Sequence, residues 1–344
     1  MATIKDVARE AAVSVATVSR VFNESGLVSE ETRRHVRAVA ERLRYWPNGV
    51  ARSLITSRTH ALGVLLPDLY GEFFSEVIRG LDLTARERGL HLLLSSSHSD
   101  HDGLVAALRS MRGRVDGLIL MAPEIDAVSC LEKSASSMPI VLLDPGIAAD
   151  GFDIVSVANA DGARAVVGHL IGLGHRRIAT VTGPQGNIDA RQRLEGCRAA
   201  LAEAGIEPDP RLEIPGDFTE PSGYEAAGRL LRLDPRPTAV FAANDYMAVG
   251  VIGALSDAGV RVPDDFAVAG FDDIALARYL NPSLTTVHVD AFRLGQRAVE
   301  ILVGRDGPTP RSPLRETLET TLIVRASCGS PAGAGMRGGR ARTR

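Results

Sequence analysis

The chain has 344 residues, of which 45% are hydrophobic and 24% are charged, and its formal net charge is -3. This composition is typical of a globular protein with an ample core, and the length predicts about two or three domains. No apolar stretch is long enough for a membrane span or a signal peptide, and the three cysteines lack metal-ligand spacing. We therefore expect a cytoplasmic protein with reduced cysteines, and not a membrane or exported protein.

The charge is unevenly distributed along the chain. Residues 1–60 carry ten Lys and Arg against six Asp and Glu, whereas residues 61–324 carry twenty-four against thirty-six. Residues 325–344 add five Arg and no acid. A basic head on an acidic body is typical of a phosphate-binding module joined to a domain that does not bind nucleic acid.

Two short helical patterns open the basic head. Thr3 can N-cap the first, with Asp6 at the capping-box position. The apolar residues of this pattern share one face: Ile4, Val7, Ala8 and Ala11. Ser14 can cap the second, and its predicted buried face consists of Val18, Val21 and Phe22. The short link predicts a helix-turn-helix, whose second helix lies in the DNA major groove; the alternative is a generic amphipathic helix pair.

From Leu62 onward, short apolar runs alternate with amphipathic stretches. The apolar runs occupy residues 62–66, 90–94, 117–122, 139–143, 177–182, 238–243 and 266–270. Helical patterns lie between several of them, at Phe74–Arg88, Ala163–Leu173, Arg191–Ala204 and Met247–Ala258. Strands that alternate with helices of this length predict parallel sheets, and about 265 residues indicate two lobes. The predicted fold class is therefore α/β, with a small all-α head.

Several segments, taken in order, resemble the lactose-repressor (LacI) type of bacterial transcription regulator. TIKDVAREAAVSVATVSRVFN at residues 3–23 resembles its head, and a third helix over about Glu30–Leu43 and YWPNGVARSL at 45–54 continue the resemblance. Shorter matches follow: GLGHRRIA at 172–179, RLEG at 193–196, AND at 243–245, VPDD at 262–265, GFDD at 270–273 and LTTV at 284–287. Each later motif is weak alone, but the ordered set covers residues 3–328.

This resemblance implies a domain organisation. It gives a helix-turn-helix head at 1–46, a hinge helix or linker at 47–58, and a two-lobed body at 59–328 with the type I periplasmic-binding-protein fold. In that fold, three crossovers join two doubly wound parallel-sheet lobes. The N-lobe and the C-lobe take two segments each, 59–157 with 288–316 and 158–287 with 317–328. Residues 329–344 are rich in Gly, Ala and Arg, and we expect them to be disordered.

The predicted second helix supplies the candidate DNA contacts. Val15, Ala16 and Arg20 are the predicted base contacts, because the first residues of a recognition helix face base edges. Arg20 can pair with guanine O6 and N7, whereas Val15 and Ala16 offer apolar contact, for example to a thymine methyl group. The candidate phosphate contacts are Ser14, Thr17, Ser19 and Asn23. For Thr17 and Ser19 the alternative is a solvated helix surface.

By the same resemblance, Pro47–Ser57 forms a hinge helix that pairs with its copy in the minor groove. Asn48, Ala51 and Leu54 are the predicted minor-groove residues, and Leu54 wedges into the central base step and kinks the duplex. The alternative is a plain linker in which Leu54 contacts a lobe. Because one head contacts only half of an operator, we expect a homodimer on double-stranded operator DNA.

The body is predicted to bind a small molecule between its lobes, because doubly wound lobes bind ligands at the carboxyl ends of their strands. The resemblance assigns the following residues to this cleft: Phe73, Phe74, Asp144, Asp189, Arg193, Phe218, Asn244 and Asp272. Asn187 and Arg191 are expected at the same mouth. Aromatic faces can stack on a sugar or a base, and Asn, Asp and Arg together satisfy hydroxyl groups. The mixture favours a sugar or sugar phosphate, with a nucleoside or purine as the alternative.

Two residues near the predicted cleft have structural alternatives. Phe74 opens a helix, and a phenylalanine in that position is more often part of a core. Asp245 is expected to N-cap the helix that follows its strand.

The sequence contains no Gly-rich phosphate loop, GxSxG elbow or HExxH motif, so we expect neither enzyme activity nor a cofactor or metal. The predicted function is a DNA-binding repressor that is controlled by a small ligand and acts at the nucleoid, with induction favoured over corepression. The alternative is a ligand-binding protein of the transport type. That class would need an export signal and would lack the helix-turn-helix.

Overall fold

The computed structural model describes residues 2–22, 26–46, 58–98, 100–122, 131, 138–145, 151–305 and 312–329. The chain divides into two compact units, of which the first contains the head. The head has three helices, α1 (Ile4–Glu10), α2 (Val15–Phe22) and α3 (Glu30–Arg42). The predicted capping box at the start of α1 is confirmed, because the Asp6 N–H donates to Thr3 Oγ1 and the Thr3 N–H donates to Asp6 Oδ2. At the start of α2, the Thr17 N–H donates to Ser14 Oγ over 3.0 Å.

A small apolar core joins the three helices of the head. Its buried members are Val7, Ala8, Ala11, Val18, Val21, Val36, Val39 and Ala40. Phe22 is half-buried rather than fully buried, and its ring meets Tyr45 edge to face at 5.8 Å between centroids. The opposite side of α2 therefore stays available to solvent.

The second unit alternates strands and helices. Its strands are β1 (Ala61–Leu66), β2 (His91–Ser96), β3 (Gly117–Met121), β4 (Ile140–Leu143), β5 (Asp153–Val157), β6 (Ile178–Thr182), β7 (Glu213–Pro215), β8 (Ala239–Ala242), β9 (Ala267–Ala269), β10 (Thr286–His288), β11 (Arg315–Leu318) and β12 (Thr321–Ile323). Its helices are α4 (Glu72–Arg86), α5 (His101–Met111), α6 (Asn159–Gly172), α7 (Ile188–Glu203), α8 (Glu220–Leu230), α9 (Asp245–Asp257), α10 (Ala275–Tyr279) and α11 (Ala291–Val303).

The strands form two main sheets, one in each lobe. The N-lobe sheet has the order β11-β5-β4-β3-β1-β2, and the C-lobe sheet has the order β7-β6-β8-β9. The C-lobe pairs are parallel, as are the N-lobe pairs from β11 to β1. A short antiparallel ribbon of β10 and β12 lies beside them. Doubly wound parallel sheets are therefore the architecture of the body, as the sequence predicts.

The chain passes between the lobes three times. It leaves the N-lobe sheet after β5, returns between β10 and α11, and leaves again after β11. Strand β11 pairs with β5 as far as Leu318, which lies opposite Val157. The third crossing therefore follows Leu318 and not residue 316, since β11 forms an edge of the N-lobe sheet along its whole length.

The returning segment is held against the N-lobe by close backbone packing. A Cβ atom on Gly80 of α4 would lie 2.0 Å from the Phe292 carbonyl oxygen, and one on Gly295 of α11 would lie 2.2 Å from the Val77 carbonyl oxygen. Helices α4 and α11 can approach this closely only because both positions are glycine.

The turn between α1 and α2 contains a local strain. Ala12 adopts a positive φ of 52°, in the left-handed region that favours glycine. We expect Ala12→Gly to stabilise the head by up to about 1 kcal/mol, since relief of this strain outweighs the entropy that glycine adds to the unfolded chain. Ala38→Gly, at an exposed position inside α3, is the matched control and should destabilise the head by about 1 kcal/mol. Amide hydrogen exchange of head peptides in the full chain measures both changes, and faster exchange in Ala12→Gly would contradict the prediction.

Candidate functional site

A cavity of about 260 Å³ lies between the two lobes. Residues that close or follow six of the strands line it: Pro67, Met121, Pro184, Asp217, Asn244 and Asp272. The carboxyl ends of both sheets therefore face this cavity, which is where open α/β sheets bind ligands. Its volume falls just below the range of about 300–1,000 Å³ that is typical of sites for drug-sized molecules, so it suits a smaller ligand.

The structure brings most of the predicted cleft residues into the wall of this cavity. Those that line it are Phe73, Phe74, Asp189, Arg193, Phe218, Asn244 and Asp272. Asn187 also lines it, whereas Arg191 is exposed and Asp144 is buried outside the described wall.

Three half-buried phenylalanines give the cavity its apolar surface. Phe73 and Phe74 begin α4 and stand edge to face, with ring planes at 80° and centroids 5.4 Å apart. Both rings also pack against the core of the N-lobe, so the structural alternative for Phe74 and its place in the cavity wall are compatible. Phe218 follows β7 with a φ of 70°, an unusual conformation for a bulky residue, and its ring lies close to Gly183.

The guanidinium group of Arg193 occupies the centre of the C-lobe side. Its Nε–H donates to Asn159 Oδ1 over 2.9 Å, and its Nη1–H donates to the Ala243 carbonyl oxygen over 2.6 Å. The same Nη1 lies 3.0 Å from Asp272 Oδ1, and Cζ lies 3.9 Å from the centre of the Phe271 ring. Arg193 therefore links α7 to the start of α6 and to the segments that follow β8 and β9.

Asp272 presents an open acceptor to this site. Its buried Oδ1 lies 3.0 Å from Arg193 Nη1, in an ion pair whose N–H···O geometry falls short of a hydrogen bond, and no other described residue donates to it. Burial raises the pKa of Asp272 to about 6, and the Arg193 charge keeps it from rising further. This buried oxygen can therefore accept a further hydrogen bond, from a ligand hydroxyl or from a water molecule.

Two further carboxylates surround Arg193. Asp189 lines the cavity in the first turn of α7 and accepts a hydrogen bond from Asn159 Nδ2 over 3.2 Å. Asp144 lies behind the wall, where its Oδ1 accepts from the Val157 N–H over 2.9 Å. Burial, with the negative charge of Asp189, raises the pKa of Asp144 well above its ordinary value. Asp144 is thus placed to support the site from behind.

Asn244, and not Asp245, caps the start of α9. The expectation that Asp245 caps this helix is wrong, because Asn244 is the N-cap and its Oδ1 accepts from the Met247 N–H. Asn244 Nδ2 also donates to the Phe218 carbonyl oxygen, which leaves one amide hydrogen for a ligand. Asp245 is fully buried and accepts hydrogen bonds from Thr286 Oγ1 and the Ile274 N–H. Its role is to tie α9 to the segments after β9 and in β10.

The sequence interpretation missed several residues of the cavity wall. They are Asp68, Tyr70, Gly71, Met121, Thr219, Glu220 and Tyr246, with Pro67, Pro184 and Asp217. Most of them lie within a few positions of a predicted strand end or of a predicted cleft residue, so the signal was the end of each apolar run. Tyr246, on α9, carries no such signal beyond its place after Asn244.

The head presents a second candidate surface. Val15, Ala16 and Arg20 are exposed on α2, and Val15 is 42% exposed although it is apolar. The hydroxyls of Ser14 and Thr17 lie 2.9 Å apart, and Ser19 is half-buried on the same helix. The candidate contacts Asn23, Asn48, Ala51 and Leu54 lie outside the described residues.

Two properties of the described residues bear on function. No group of three or more His, Cys, Asp and Glu among them is placed to hold a metal ion. None of the described helices is both long enough and apolar enough to span a membrane.

Comparisons with known proteins agree with this architecture. Residues 3–48 match the model of the lacI family of bacterial regulatory proteins, and residues 167–328 match a periplasmic binding protein-like domain. The ribose operon repressor of Escherichia coli (strain K12) is 39% identical over 329 residues, which are 95% of this chain and 100% of that protein. The HTH-type transcriptional repressor PurR of Mannheimia succiniciproducens is 38% identical over 331 residues, 95% of this chain and 98% of that protein.

A solved structure extends the comparison to three dimensions. The Lac repressor dimer bound to operator and the anti-inducer ONPF superposes with a TM-score of 0.87 at 32% identity, over 96% of this chain and 99% of that chain. The chain belongs to the LacI family of bacterial regulatory proteins. It is a ligand-responsive DNA-binding transcriptional repressor and not an enzyme.

The contacts of Arg193 predict a large structural cost for its removal. Arg193→Ala should lower the free energy of unfolding by about 3–5 kcal/mol, because it leaves the buried Asp272 carboxylate without a compensating charge. Arg198→Ala is the matched control on α7, and its exposed pairing with Glu213 should be worth less than about 1 kcal/mol. Urea unfolding followed by circular dichroism measures both. Equal effects of the two substitutions would show that Arg193 is not the centre of the C-lobe network.

Proposed function

We propose that the protein is a homodimeric repressor whose affinity for its operator is controlled by a neutral sugar in the inter-lobe cavity. The observation that carries this proposal is the open acceptor of Asp272 beside Arg193, opposite the phenylalanine rings. Sugar hydroxyls both donate and accept, and the C–H face of a sugar ring packs on aromatic rings. A pentose such as D-ribose is the first candidate, which the similarity to the ribose operon repressor supports.

The charges around the cavity support an unphosphorylated ligand. The described wall contains five carboxylates, Asp68, Asp189, Asp217, Glu220 and Asp272, against the single guanidinium group of Arg193. Arg193 is already engaged by Asp272 and by the Ala243 carbonyl oxygen. A phosphate group would therefore meet repulsion without a free cation, so of the two sugar classes the neutral one is favoured.

A purine is the second candidate effector, because the similarity to PurR extends over the same length of chain. The arrangement of the aromatic rings favours the sugar. Phe73 and Phe74 are nearly perpendicular, so together they offer one face and one edge instead of a parallel slot for a flat base.

On the DNA side, we propose that Val15, Ala16 and Arg20 read bases while Ser14, Thr17, Ser19 and Asn23 contact phosphates. The exposure of the first three residues on α2 supports this assignment. The proposed domain limits are those predicted from the sequence, except that the N-lobe runs to Leu318. Asn48, Ala51 and Leu54 are proposed to lie at the minor groove. The Lac repressor binds operator as a dimer, which supports a dimer here, acting in the cytoplasm at the nucleoid.

The base contacts can be tested at one position. Arg20→Ala should weaken operator binding by about 1–3 kcal/mol and relax the preference at one base pair of each half-site, because it removes a bidentate pair to guanine. Arg42 ends α3, and its side chain pairs with Glu10. Arg42→Ala is the control and should leave base preference unchanged. Fluorescence anisotropy with a set of operator variants measures this. A loss of affinity that is uniform across all sequences would place Arg20 on phosphate.

The effector class can be tested with a ligand panel. Thermal shift and calorimetry should detect binding of D-ribose or another neutral monosaccharide, whereas D-ribose 5-phosphate should not bind, and the bound sugar should weaken operator binding. Typical coupling of this kind is about 1–3 kcal/mol. Binding of hypoxanthine or guanine without binding of any sugar would replace the proposal by its purine alternative.

The same calorimetry should show a defined pH dependence. Asp272 has a pKa of about 6, and a hydroxyl that donates to its carboxylate favours the charged form. Affinity should therefore be highest above pH 6 and fall about tenfold between pH 7.5 and pH 5, as the carboxylate takes up a proton. Asp272→Asn should remove this dependence, and a dependence that survives the substitution would assign it to another group.

A further inference from the structure

We propose that Glu72 and Tyr246 form a latch that holds the two lobes closed around the cavity, because each lobe caps a helix of the other. The latch consists of Gly71 and Glu72 in the N-lobe and Tyr246 and Ala275 in the C-lobe. None of these four residues belonged to the predicted cleft set. They are positioning residues, since they act on effector binding through the arrangement of the lobes.

The first half of the latch caps α4. The N-cap of this helix is Gly71, which has no side chain to accept a hydrogen bond from the first turn. The Glu72 N–H, at the start of the helix, donates instead to the hydroxyl of Tyr246 over 3.0 Å. A residue of the C-lobe thus supplies the acceptor that the N-lobe lacks.

The second half of the latch caps α10, and here a residue of the N-lobe supplies the acceptor for a helix of the C-lobe. The N-cap of α10 is Ile274, which is apolar, and the Ala275 N–H donates to Glu72 Oε1. Five of the other six described helices of the body carry their own N-cap side chains, Asp100, Asn187, Thr219, Asn244 and Asp290, and the exception is α6 with Ala158. Both helix starts in the latch therefore depend on the opposite lobe, which is not the general pattern of this fold.

Gly71 also makes room for the latch. It adopts a φ of 97°, and a Cβ atom there would lie 3.4 Å from Cε2 of the Tyr246 ring. The ring thus packs against the backbone of the N-lobe while its hydroxyl accepts the hydrogen bond. The glycine serves both the backbone turn and the approach of the tyrosine.

The position of the latch couples it to the cavity. Tyr246 and Gly71 line the cavity, whereas Glu72 lines a neighbouring crevice that shares only Phe73 and Asp272 with it. Separation of the lobes must break both hydrogen bonds. The latch therefore raises the population of the closed arrangement, and apparent ligand affinity scales with that population.

Hydrogen exchange tests the latch without any ligand. In the full-length protein, Tyr246→Phe should speed exchange severalfold in peptides that cover residues 70–75 and also in those that cover 273–278, although Glu72 remains available to Ala275. Glu72→Ala should give the same paired effect, and Glu72→Gln, which keeps an acceptor, should restore protection. Tyr224→Phe is the matched control, because that hydroxyl donates to Asp257 within the C-lobe. An effect confined to the peptide that loses its own partner would overturn the proposal, and so would unchanged exchange in both.

A second arm measures effector affinity and rests on the proposed function. Tyr246→Phe and Glu72→Ala should each raise the Kd for D-ribose about fivefold, with Tyr224→Phe and Glu72→Gln close to the wild type. The Glu72 variants separate the latch from a direct contact, because Glu72 does not line the cavity. Failure of the wild type to bind any sugar rejects the proposed effector, whereas the exchange result still decides the latch. A normal Kd in Glu72→Ala together with wild-type exchange rejects the latch alone.

Discussion

The buried guanidinium group of Arg193 is the interaction on which the site depends. It donates to Asn159 at the first crossover and to the Ala243 carbonyl oxygen just after β8, and it balances the charge of Asp272 after β9. These segments are far apart in the chain, so no local preference brings them together. A charge this deeply buried is tolerated only when its partners are in place. The same contacts that hold the carboxyl ends of the C-lobe strands in position therefore also give the cavity its polar wall.

On this side of the cavity, carboxylate groups outnumber the single guanidinium group of Arg193, and they have different structural roles. Asp245 is saturated by Thr286 and a backbone N–H, and Asp144 accepts from the Val157 N–H, with burial raising the pKa of both well above the ordinary value. Asp272 alone among these three lines the cavity. Asp144 and Asp245 thus serve the structure, whereas Asp272 and the other wall carboxylates face the cavity, and the proposed selectivity against anions rests on those.

The parts of this molecule that could be predicted from the sequence are those set by near neighbours. The capping box of α1 and the cap of α2 join residues three positions apart, and the strands buried on both faces read as apolar runs. Strand β5 was not predicted, because a buried Asp153 begins it. Strand β11 was not predicted either, because its edge position admits Arg315 and Glu316. The cleft residues came from the family resemblance. The hydrogen-bond partners in the site could not be predicted, because they depend on tertiary structure. Examples are the choice of Asn244 as the cap of α9 and the pairing of Glu72 with Tyr246 across 174 positions.

The edge strand β11 has a consequence for synthesis. Asp153 is buried, and its carboxylate accepts from Arg305 and from the Leu314 N–H, just before β11 pairs with β5. As a nascent chain leaves the ribosome, the larger C-lobe segment, residues 158–287, emerges before these partners do. Until then, the N-lobe contains a buried carboxylate without compensation and an incomplete sheet edge, both of which are costly. Although the N-lobe is begun first, it therefore cannot be completed until residues 305–318 have been translated.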